Sequence, residues 1–490
     1  MKRNTFLARL LPVLALTLLG FLVMGYHPGY EDDGVYLAAL KADLNPALYP
    51  HDANFFQLQM QATLFDEGMT LFVRDTRTPL AWAELFWQLT AIFLILWACA
   101  GIAHHLFAEP HSRWAGVALV SAMLTLPVAG TALNLADQHL HPRNLASALI
   151  LLAVERILAR RHWQAALFLL IAFAIHPIMA LLGISFCCFL ALALHDPLLS
   201  WLRRPRAWLA AVPLGWVVQG PSPDWYRALA TRRYFFLTRW TWYEWLGAIG
   251  PLVLFWLLWR VSRRHGHRLL ARFALAVLVY ALFQQAFAIA VLTPPAFARV
   301  APLQPMRYLQ LVYFFMVLIG GCLLGKFLLK TAVWRWAVLL ILANGGMLVA
   351  QCRLLPASPH LELPDRRSSN PWLQAFAWIR VNTPVDACFA MNPRYLAAPG
   401  EDYHSFRALA ERSQLADAIK DASVATQVPQ LSHLWVRQVD AASGWESFKP
   451  SDFQRLKREY SVNWVLVRFP QPAGLDCVWH NRILSVCRIP

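Results

Sequence analysis

Acidic residues are scarce in this sequence: 28 Asp and Glu stand against 44 Lys and Arg, and charged residues make up only 15% of 490 positions. Hydrophobic residues make up 58%, which is above the usual share in a soluble domain. The cations cluster in short segments between apolar runs, a pattern that reports orientation in a membrane. We therefore expect a polytopic membrane protein in a lipid bilayer, with no nucleic-acid partner.

Several short motifs are also missing. The chain has no P-loop, no Gly-x-Ser-x-Gly and no dinucleotide fingerprint, so nothing in it suggests ATP-driven transport. Its eight cysteines show no Cys-x-x-Cys or Cys/His zinc spacing. Cys477 and Cys487 flank a predicted hairpin and could form a disulfide in an oxidising compartment, with Cys388 as the competing partner.

Apolar runs of near-spanning length predict about eleven transmembrane helices. They fall at about 6–26, 81–103, 114–133, 145–159, 164–176, 178–194, 207–219, 245–260, 270–292, 307–325 and 332–351. We expect the first to be a retained anchor, because it is too long for a signal peptide and no small-residue cleavage site follows. Cations dominate alternate segments, so the positive-inside rule predicts an N-in and C-out protein of the cytoplasmic (inner) membrane.

The composition changes after residue 351. We predict a transmembrane domain at 1–351, with a first outer loop at 27–80, and an extracytoplasmic α/β domain at 352–490. The predicted helices of the second domain are Trp372–Val381, Phe406–Ala422 and Ser451–Tyr460. The predicted strands are Ala387–Met391 and Asn463–Phe469, followed by a hairpin of Cys477–Trp479 with Ile483–Arg488.

Three acids in a row, Glu31, Asp32 and Asp33, lie in the first outer loop. The helical spacing of Tyr36–Leu44 and the amphipathic, aromatic Phe55–Phe65 predict two surface helices after them. Adjacent carboxylates at a membrane surface can act as a general base, hold a divalent cation, or do both. The alternative is a solvated acidic loop that helps to set topology.

A second outer loop alternates Asp137, His139 and His141. If the loop is extended, these side chains could converge as metal ligands, with Asp33 as a further ligand, or form a proton relay. A hydrogen-bonded loop that caps the next helix is an equal alternative. Arg143 is a candidate phosphate ligand, because its planar guanidinium matches phosphate.

Further outer arginines could meet an anionic headgroup or pyrophosphate. Arg232, Arg233 and Arg239 lie among aromatic residues, where snorkelling at a lipid interface is the alternative. Arg307 stands at the mouth of a predicted span. His176, at a predicted outer turn, could take part in substrate binding or catalysis, although a lone histidine there is more often structural.

The stretch Asp32-Asp33-Gly34-Val35-Tyr36 resembles the Asp-Glu-x-x-Tyr pattern of the GT-C superfamily of membrane glycosyltransferases, in its protein mannosyltransferase and aminoarabinose transferase branches. The second acid is Asp here where the pattern has Glu. The resemblance implies hexosyl or pentosyl transfer from a polyprenyl-phosphate-linked donor at the outer face of the membrane. It also implies that Asp32 and Asp33 are the catalytic acids, and it leaves open whether the acceptor is glycan, lipid or protein.

The C-terminal part, with Trp378-Ile-Arg-Val-Asn-Thr-Pro and Ala410-Glu-Arg, looks like the tail domain of uncharacterised bacterial members of that superfamily. Mg²⁺ or Mn²⁺ could assist the transfer but is not required, since arginines could neutralise the leaving phosphate. The alternative function is a transporter or flippase for a lipid-linked or anionic solute. A non-catalytic membrane scaffold is a third hypothesis.

Overall fold

The computed structural model describes residues 2–195, 220–398 and 402–490. Within them, seven helical stretches are long and apolar enough to cross a membrane. They are Leu7–Met24, Leu80–Leu106, Pro177–His195, Trp242–Arg264, Arg268–Leu292, Ala296–Leu329 and Val333–Leu354. The predicted span 207–219 lies outside the described residues, and the count of eleven spans stays a prediction.

The described α-helices are numbered in chain order. They are α1 (Lys2–Met24), α2 (Asp33–Leu44), α3 (Asn54–Met60), α4 (Phe65–Thr76), α5 (Leu80–Leu106), α6 (Pro110–Ala122), α7 (Pro142–Leu158), α8 (His162–Ile175), α9 (Pro177–His195), α10 (Pro223–Ala230), α11 (Trp242–Arg264), α12 (Arg268–Leu292), α13 (Tyr308–Leu324), α14 (Val333–Leu354), α15 (Pro371–Asn382), α16 (Phe406–Ala410), α17 (Lys420–Gln427), α18 (Ser432–Ala441) and α19 (Pro450–Tyr460). Short 3₁₀ helices lie at Arg233–Phe235, Leu237–Arg239, Pro295–Leu303, Pro305–Arg307, Tyr395–Ala397, Pro429–Leu431 and Trp445–Ser447, and a π-helical segment lies at Gly325–Leu329.

The apolar runs that fall in the described part of the chain all contain helix, but one of them ends early. The run 114–133 was expected to be one helix, yet α6 ends at Ala122 and the chain then forms a two-stranded ribbon of β1 (Pro127–Val128) and β2 (Leu133–Asn134). Gly130 turns that ribbon at φ +65°, a conformation that glycine adopts without strain. Apolar composition alone does not separate such a buried turn from a helix.

A five-stranded mixed sheet forms the C-terminal region. Its strands are β3 (Cys388–Ala390), β4 (Ser413–Gln414), β5 (Trp464–Arg468), β6 (Asp476–His480) and β7 (Leu484–Arg488). The spatial order is β4-β3-β5-β7-β6, with β3 parallel to β4 and β5, and β7 antiparallel to β5 and β6. The predicted closing hairpin is confirmed, and a disulfide joins Cys477 to Cys487 across it.

Both faces of this sheet are covered, because alternate residues of β5 enter different cores. Trp464 and Leu466 pack with Phe376 of α15, and Val465 packs with Phe453 of α19 on the other face. The helices predicted at Trp372–Val381 and Ser451–Tyr460 are therefore confirmed as α15 and α19.

The helix predicted over Phe406–Ala422 is wrong in its middle. After α16, Glu411 takes the left-handed conformation at φ 55°, and the chain then forms β4 before α17 begins at Lys420. Arg412 donates hydrogen bonds to the carbonyl oxygens of Arg380 and Thr383, at 2.8 and 2.7 Å. These tertiary contacts override the local helical periodicity.

The segment 27–80, which the sequence predicts as the first outer loop, packs directly against the C-terminal region. Gly29 accepts a hydrogen bond at its carbonyl oxygen from the Ser405 N–H at 2.8 Å. A Cβ on Gly34 would lie 2.3 Å from Ser405 Cβ, so only glycine allows this approach. The acidic stretch is therefore held between the helical bundle and the C-terminal region.

Candidate functional site

Asp32 is the acid that faces an open space. Its side chain is 38% exposed, and its Oδ1 lies 3.0 Å from the Nζ of Lys420, which is 8% exposed. Its Oδ2 lies 3.8 Å from the Nε2 of His141. Because Nδ1 of His141 accepts the backbone N–H of Arg143 at 2.9 Å, a neutral His141 carries its proton on Nε2, the atom nearer to Asp32.

Asp33 lies differently. It is 2% exposed and is the first residue of α2. Its Oδ2 accepts the backbone N–H of Gly29 at 2.5 Å. This contact closes the turn that carries the acids, so the geometry of Asp33 fits a residue that shapes the loop and leaves Asp32 to face the cavity.

The two neighbouring acids have opposite pKa shifts. Burial by itself would raise the pKa of Asp32, but Lys420 and His141 outweigh it and hold that pKa well below its usual value. Burial raises the pKa of Asp33, and His139 offsets this only in part. Environments that shift the pKa values of two carboxylates in opposite directions are typical of sites where the two carboxylates have different roles.

The second outer loop is fixed by a buried ion pair. The Arg143 guanidinium donates three hydrogen bonds to Asp137: from Nη2 to both carboxylate oxygens at 2.7 Å, and from Nε to Oδ2 at 3.1 Å. The backbone N–H of Asp137 donates to Asn144 Oδ1 at 3.0 Å. His141 caps α7, with Pro142 as its first residue. Loop and cap geometry thus account for Asp137, while Arg143 Nη1 has no hydrogen-bond partner in the described part of the chain.

Arg307 and His176 lie near His141 and Arg143, although they belong to other segments of the chain. Arg307 precedes α13, and its buried Nε has no hydrogen-bond partner among the residues that the structure describes. His176 lies between α8 and α9, with its ring centroid 6.2 Å from that of His141. The sequence placed each of these side chains on a separate outer loop, and the structure brings them together.

Together these groups line a cavity of about 240 Å³. Its polar wall includes Asp32, Tyr36, His141, Arg143, His176 and Arg307. Leu58 of α3 and Val424 of α17 are among its apolar lining residues. The cavity can therefore take an amphipathic ligand whose head carries negative charge, since Arg143 and Arg307 retain unsatisfied N–H groups there.

Three predicted arginines do not line this cavity. Arg232 donates to the carbonyl oxygen of Ile419 in the C-terminal region. Arg233 pairs with Glu244 at 3.2 Å, and Arg239 lies over the ring of Phe236 at 4.4 Å. Their contacts are those of surface and packing residues, so a phosphate role for them stays a prediction without geometric support.

Three of the four predicted metal ligands make other contacts. The oxygens of Asp137 are taken by Arg143, Asp33 is held by Gly29, and His141 Nδ1 caps a helix. The nitrogens of His139 have no hydrogen-bond partner in the described ranges, and its ring centroid lies 5.8 Å from that of His141. Metal binding by these four residues stays a prediction.

A different set of side chains in the described ranges does offer metal-ligand geometry. The ligand atoms of His27, Glu362 and His404 all lie within 4.8 Å of one another. None of the three residues lines the cavity beside Asp32. The set lies at the junction of α1, the segment after α14 and the C-terminal region.

Lys420 is the site residue that sequence reasoning missed. It stands 388 positions from Asp32 and starts α17, inside a stretch for which a longer helix was expected. Burial lowers the pKa of Lys420, but Asp32 and Glu31 outweigh it and raise the pKa above its usual value. No local motif signals such a contact, because it depends on how the C-terminal region folds back onto the first outer loop.

Comparisons with known proteins find similarity among solved structures. No family model matches the chain, and no curated protein matches it. Among solved structures, the chain is similar to the crystal structure of the Archaeoglobus fulgidus oligosaccharyltransferase in complex with zinc and sulfate. The TM-score is 0.40 and the sequence identity 12%, over 93% of this chain and 68% of that chain. Similarity at this level assigns no function to the cavity, whose own geometry has to support one.

Proposed function

We propose that the protein is a membrane glycosyltransferase that moves a sugar from a polyprenyl-phosphate-linked donor to an acceptor at the outer face of the cytoplasmic membrane. The observation that carries the proposal is the cavity itself. Its lining includes the ionised Asp32 together with Arg143 and Arg307, which both retain buried N–H groups without partners among the described residues. The charged head of a lipid-linked sugar needs this combination of phosphate ligands and a carboxylate.

In this mechanism Arg143 and Arg307 bind the phosphate of the donor. An acceptor O–H or N–H attacks the anomeric carbon, the bond from that carbon to the phosphate oxygen breaks, and the lipid phosphate leaves with the bonding pair. The proton passes from the acceptor to Asp32. A carboxylate with a lowered pKa is a weak base, so Asp32 orients the acceptor and stabilises the positive charge that develops on the sugar, and it takes the proton late.

Asp33 stabilises the site indirectly, because its carboxylate accepts the Gly29 hydrogen bond that closes the turn. The proposal places α2, α3 and the C-terminal region on the outer side, in keeping with the positive-inside distribution of cations. The side chains of α3 that line the cavity are then next to the lipid surface from which a polyprenyl chain would enter.

The test compares three amide variants in a transfer assay with a panel of polyprenyl-phosphate sugars. We expect Asp32→Asn to lower the rate by about 100-fold or more, while Asp33→Asn lowers mainly the thermal stability. Glu31→Gln is the matched control, because Glu31 contacts the same Lys420 but does not line the cavity. Transfer at the wild-type rate by Asp32→Asn would remove the proposed role of Asp32.

A further inference from the structure

His27, Glu362 and His404 come from three distant segments and meet in the protein interior. His27 follows α1, Glu362 lies between α14 and α15, and His404 precedes α16. Glu362 Oε2 lies 3.2 Å from His27 Nδ1 and 2.7 Å from His404 Nε2. The exposed fractions of the His27, Glu362 and His404 side chains are 0, 8 and 0%.

In the part of the chain that the structure describes, hydrogen bonds to the two imidazoles leave the negative charge of Glu362 without a Lys or Arg partner and leave its second carboxylate oxygen without a hydrogen bond. Among the described residues, the ion-pair partners of Glu362 are the two imidazoles, and neither Lys nor Arg approaches it. Its Oε1 has no hydrogen-bond partner in the described ranges. A buried carboxylate without a compensating cation is costly, and a bound cation contacted by both oxygens would satisfy the charge and the oxygen together.

We propose that these three side chains bind a transition-metal ion of the Zn²⁺ class. Two imidazole nitrogens and a carboxylate suit zinc, whereas Mg²⁺ prefers oxygen ligands alone. His27 would bind through Nδ1 and His404 through Nε2, the atoms that already face Glu362. The second carboxylate oxygen or a water completes the four ligands that zinc usually takes.

The metal would fasten the segment that carries the acidic stretch. Residues on both sides of His27 are hydrogen-bonded to the two other segments: Tyr26 N donates to His360 O at 3.1 Å, and Glu31 N donates to Tyr403 O at 3.1 Å. The backbones of Tyr30 and His404 form an isolated antiparallel β-bridge. The ion would therefore join α1, the segment after α14 and the C-terminal region at a point five residues before Asp32, and its role is structural and independent of the proposed transfer.

The experiment uses the full-length protein, purified in detergent without a metal-affinity step. We expect elemental analysis to find one zinc per chain, and a chelator to lower the thermal unfolding midpoint until Zn²⁺ is added back. Replacement by Co²⁺ should produce the visible absorption of a low-symmetry, nitrogen-ligated cobalt site, and Zn²⁺ should abolish it. These readouts need no variant to fold and no transferase activity.

Variants assign the ligands. Glu362→Gln and His404→Gln should each lose the metal, and the matched control His433→Gln should keep it, because His433 is 72% exposed and pairs only with Asp224 among the described residues. A wild-type chain that takes up no stoichiometric Zn²⁺ or Co²⁺ would overturn the proposal. Full metal content in a folded Glu362→Gln variant would overturn it as well, and either result would leave the transferase test intact.

Discussion

At the residue scale, Asp32 differs from its two acidic neighbours in what surrounds it. Glu31 shares Lys420 with it but points outside the cavity, and Asp33 is turned inward to Gly29. The sequence identified the three acids as unusual but could not rank them by their surroundings. Lys420, which pairs with both Glu31 and Asp32, belongs to α17 near the other end of the chain, and no short-range pattern connects it to the acids.

Replacing Lys420 by Met should move the acid limb of the pH profile of kcat/KM to higher pH. Removal of the ammonium leaves burial to raise the pKa of Asp32, so the ionised form is lost at a higher pH than in the wild type. We expect a shift of about one pH unit. Lys457→Met is the control, because Lys457 contacts carbonyl oxygens at the C-terminus. An acid limb that coincides in Lys420→Met and wild type would contradict the pairing.

Arg307→Met should weaken donor binding. A charge-assisted hydrogen bond contributes about 1.5–3 kcal/mol, so we expect KM for the lipid-linked donor to rise by about 10- to 100-fold. Arg233→Met is the matched control, since Arg233 is an outer arginine that pairs with Glu244 and does not line the cavity. Equal effects of the two substitutions would show that the arginines act through bulk charge and not through the cavity.

At the element scale, helices were easier to predict than the segments between them. Long apolar runs specify α1, α5 and α12 whatever the rest of the fold does. The residues after Ala122 and after α16 were missed because their backbone is set by distant partners: a tight ribbon turn in one case and the hydrogen bonds of Arg412 in the other. Of the elements that line the cavity, α2 was predicted, α3 ends at Met60 although a helix was expected over Phe55–Phe65, and α17 lies mostly beyond the helix expected over Phe406–Ala422. The convergence of these elements was not predicted.

One buried arginine clamps α16 to two other elements. Arg407 donates to Asp421 of α17 at 2.7 and 3.0 Å, and to Asp52 in the segment between α2 and α3. Burial raises the pKa of Asp421 to about 7, and Arg407 opposes that rise. The clamp therefore holds α17, and Lys420 with it, against the first outer loop.

Arg407→Met should destabilise the protein by about 3–5 kcal/mol, because it leaves two buried carboxylates without their cation. Arg380→Met is the control: Arg380 is 47% exposed and lies 3.6 Å from Glu411, so its loss should cost less than about 1 kcal/mol. Thermal unfolding in detergent measures both. The clamp would be refuted by a midpoint for Arg407→Met no lower than that of Arg380→Met.

At the scale of the whole molecule, the proposed function requires the C-terminal region to lie on the extracytoplasmic side of the membrane. Structural disulfides persist in oxidising compartments, and the structure joins Cys477 to Cys487 while the other six cysteines are free. The charge distribution and the disulfide are independent properties of the chain, and both favour the same side.

Thiol titration of the denatured protein checks this. Without reductant we expect six reactive thiols, and with reductant all eight, since eight cysteines are present. The Cys477→Ser/Cys487→Ser double variant should titrate as six under both conditions. Eight thiols in the unreduced wild type, isolated with rapid thiol trapping, would contradict an outer location for the C-terminal region.

The central claim is that the cavity beside Asp32 breaks the bond between a sugar and a lipid phosphate. The most direct measurement is mass spectrometry of lipid extracted from vesicles that contain the purified protein, a polyprenyl-phosphate sugar panel and candidate acceptors. We expect lipid phosphate and glycosylated acceptor in equal amounts with the wild type, and both formed more slowly by about 100-fold or more with Asp32→Asn, although that variant still binds the donor through Arg143 and Arg307. A donor that crosses the bilayer intact, with no lipid phosphate formed, would contradict it.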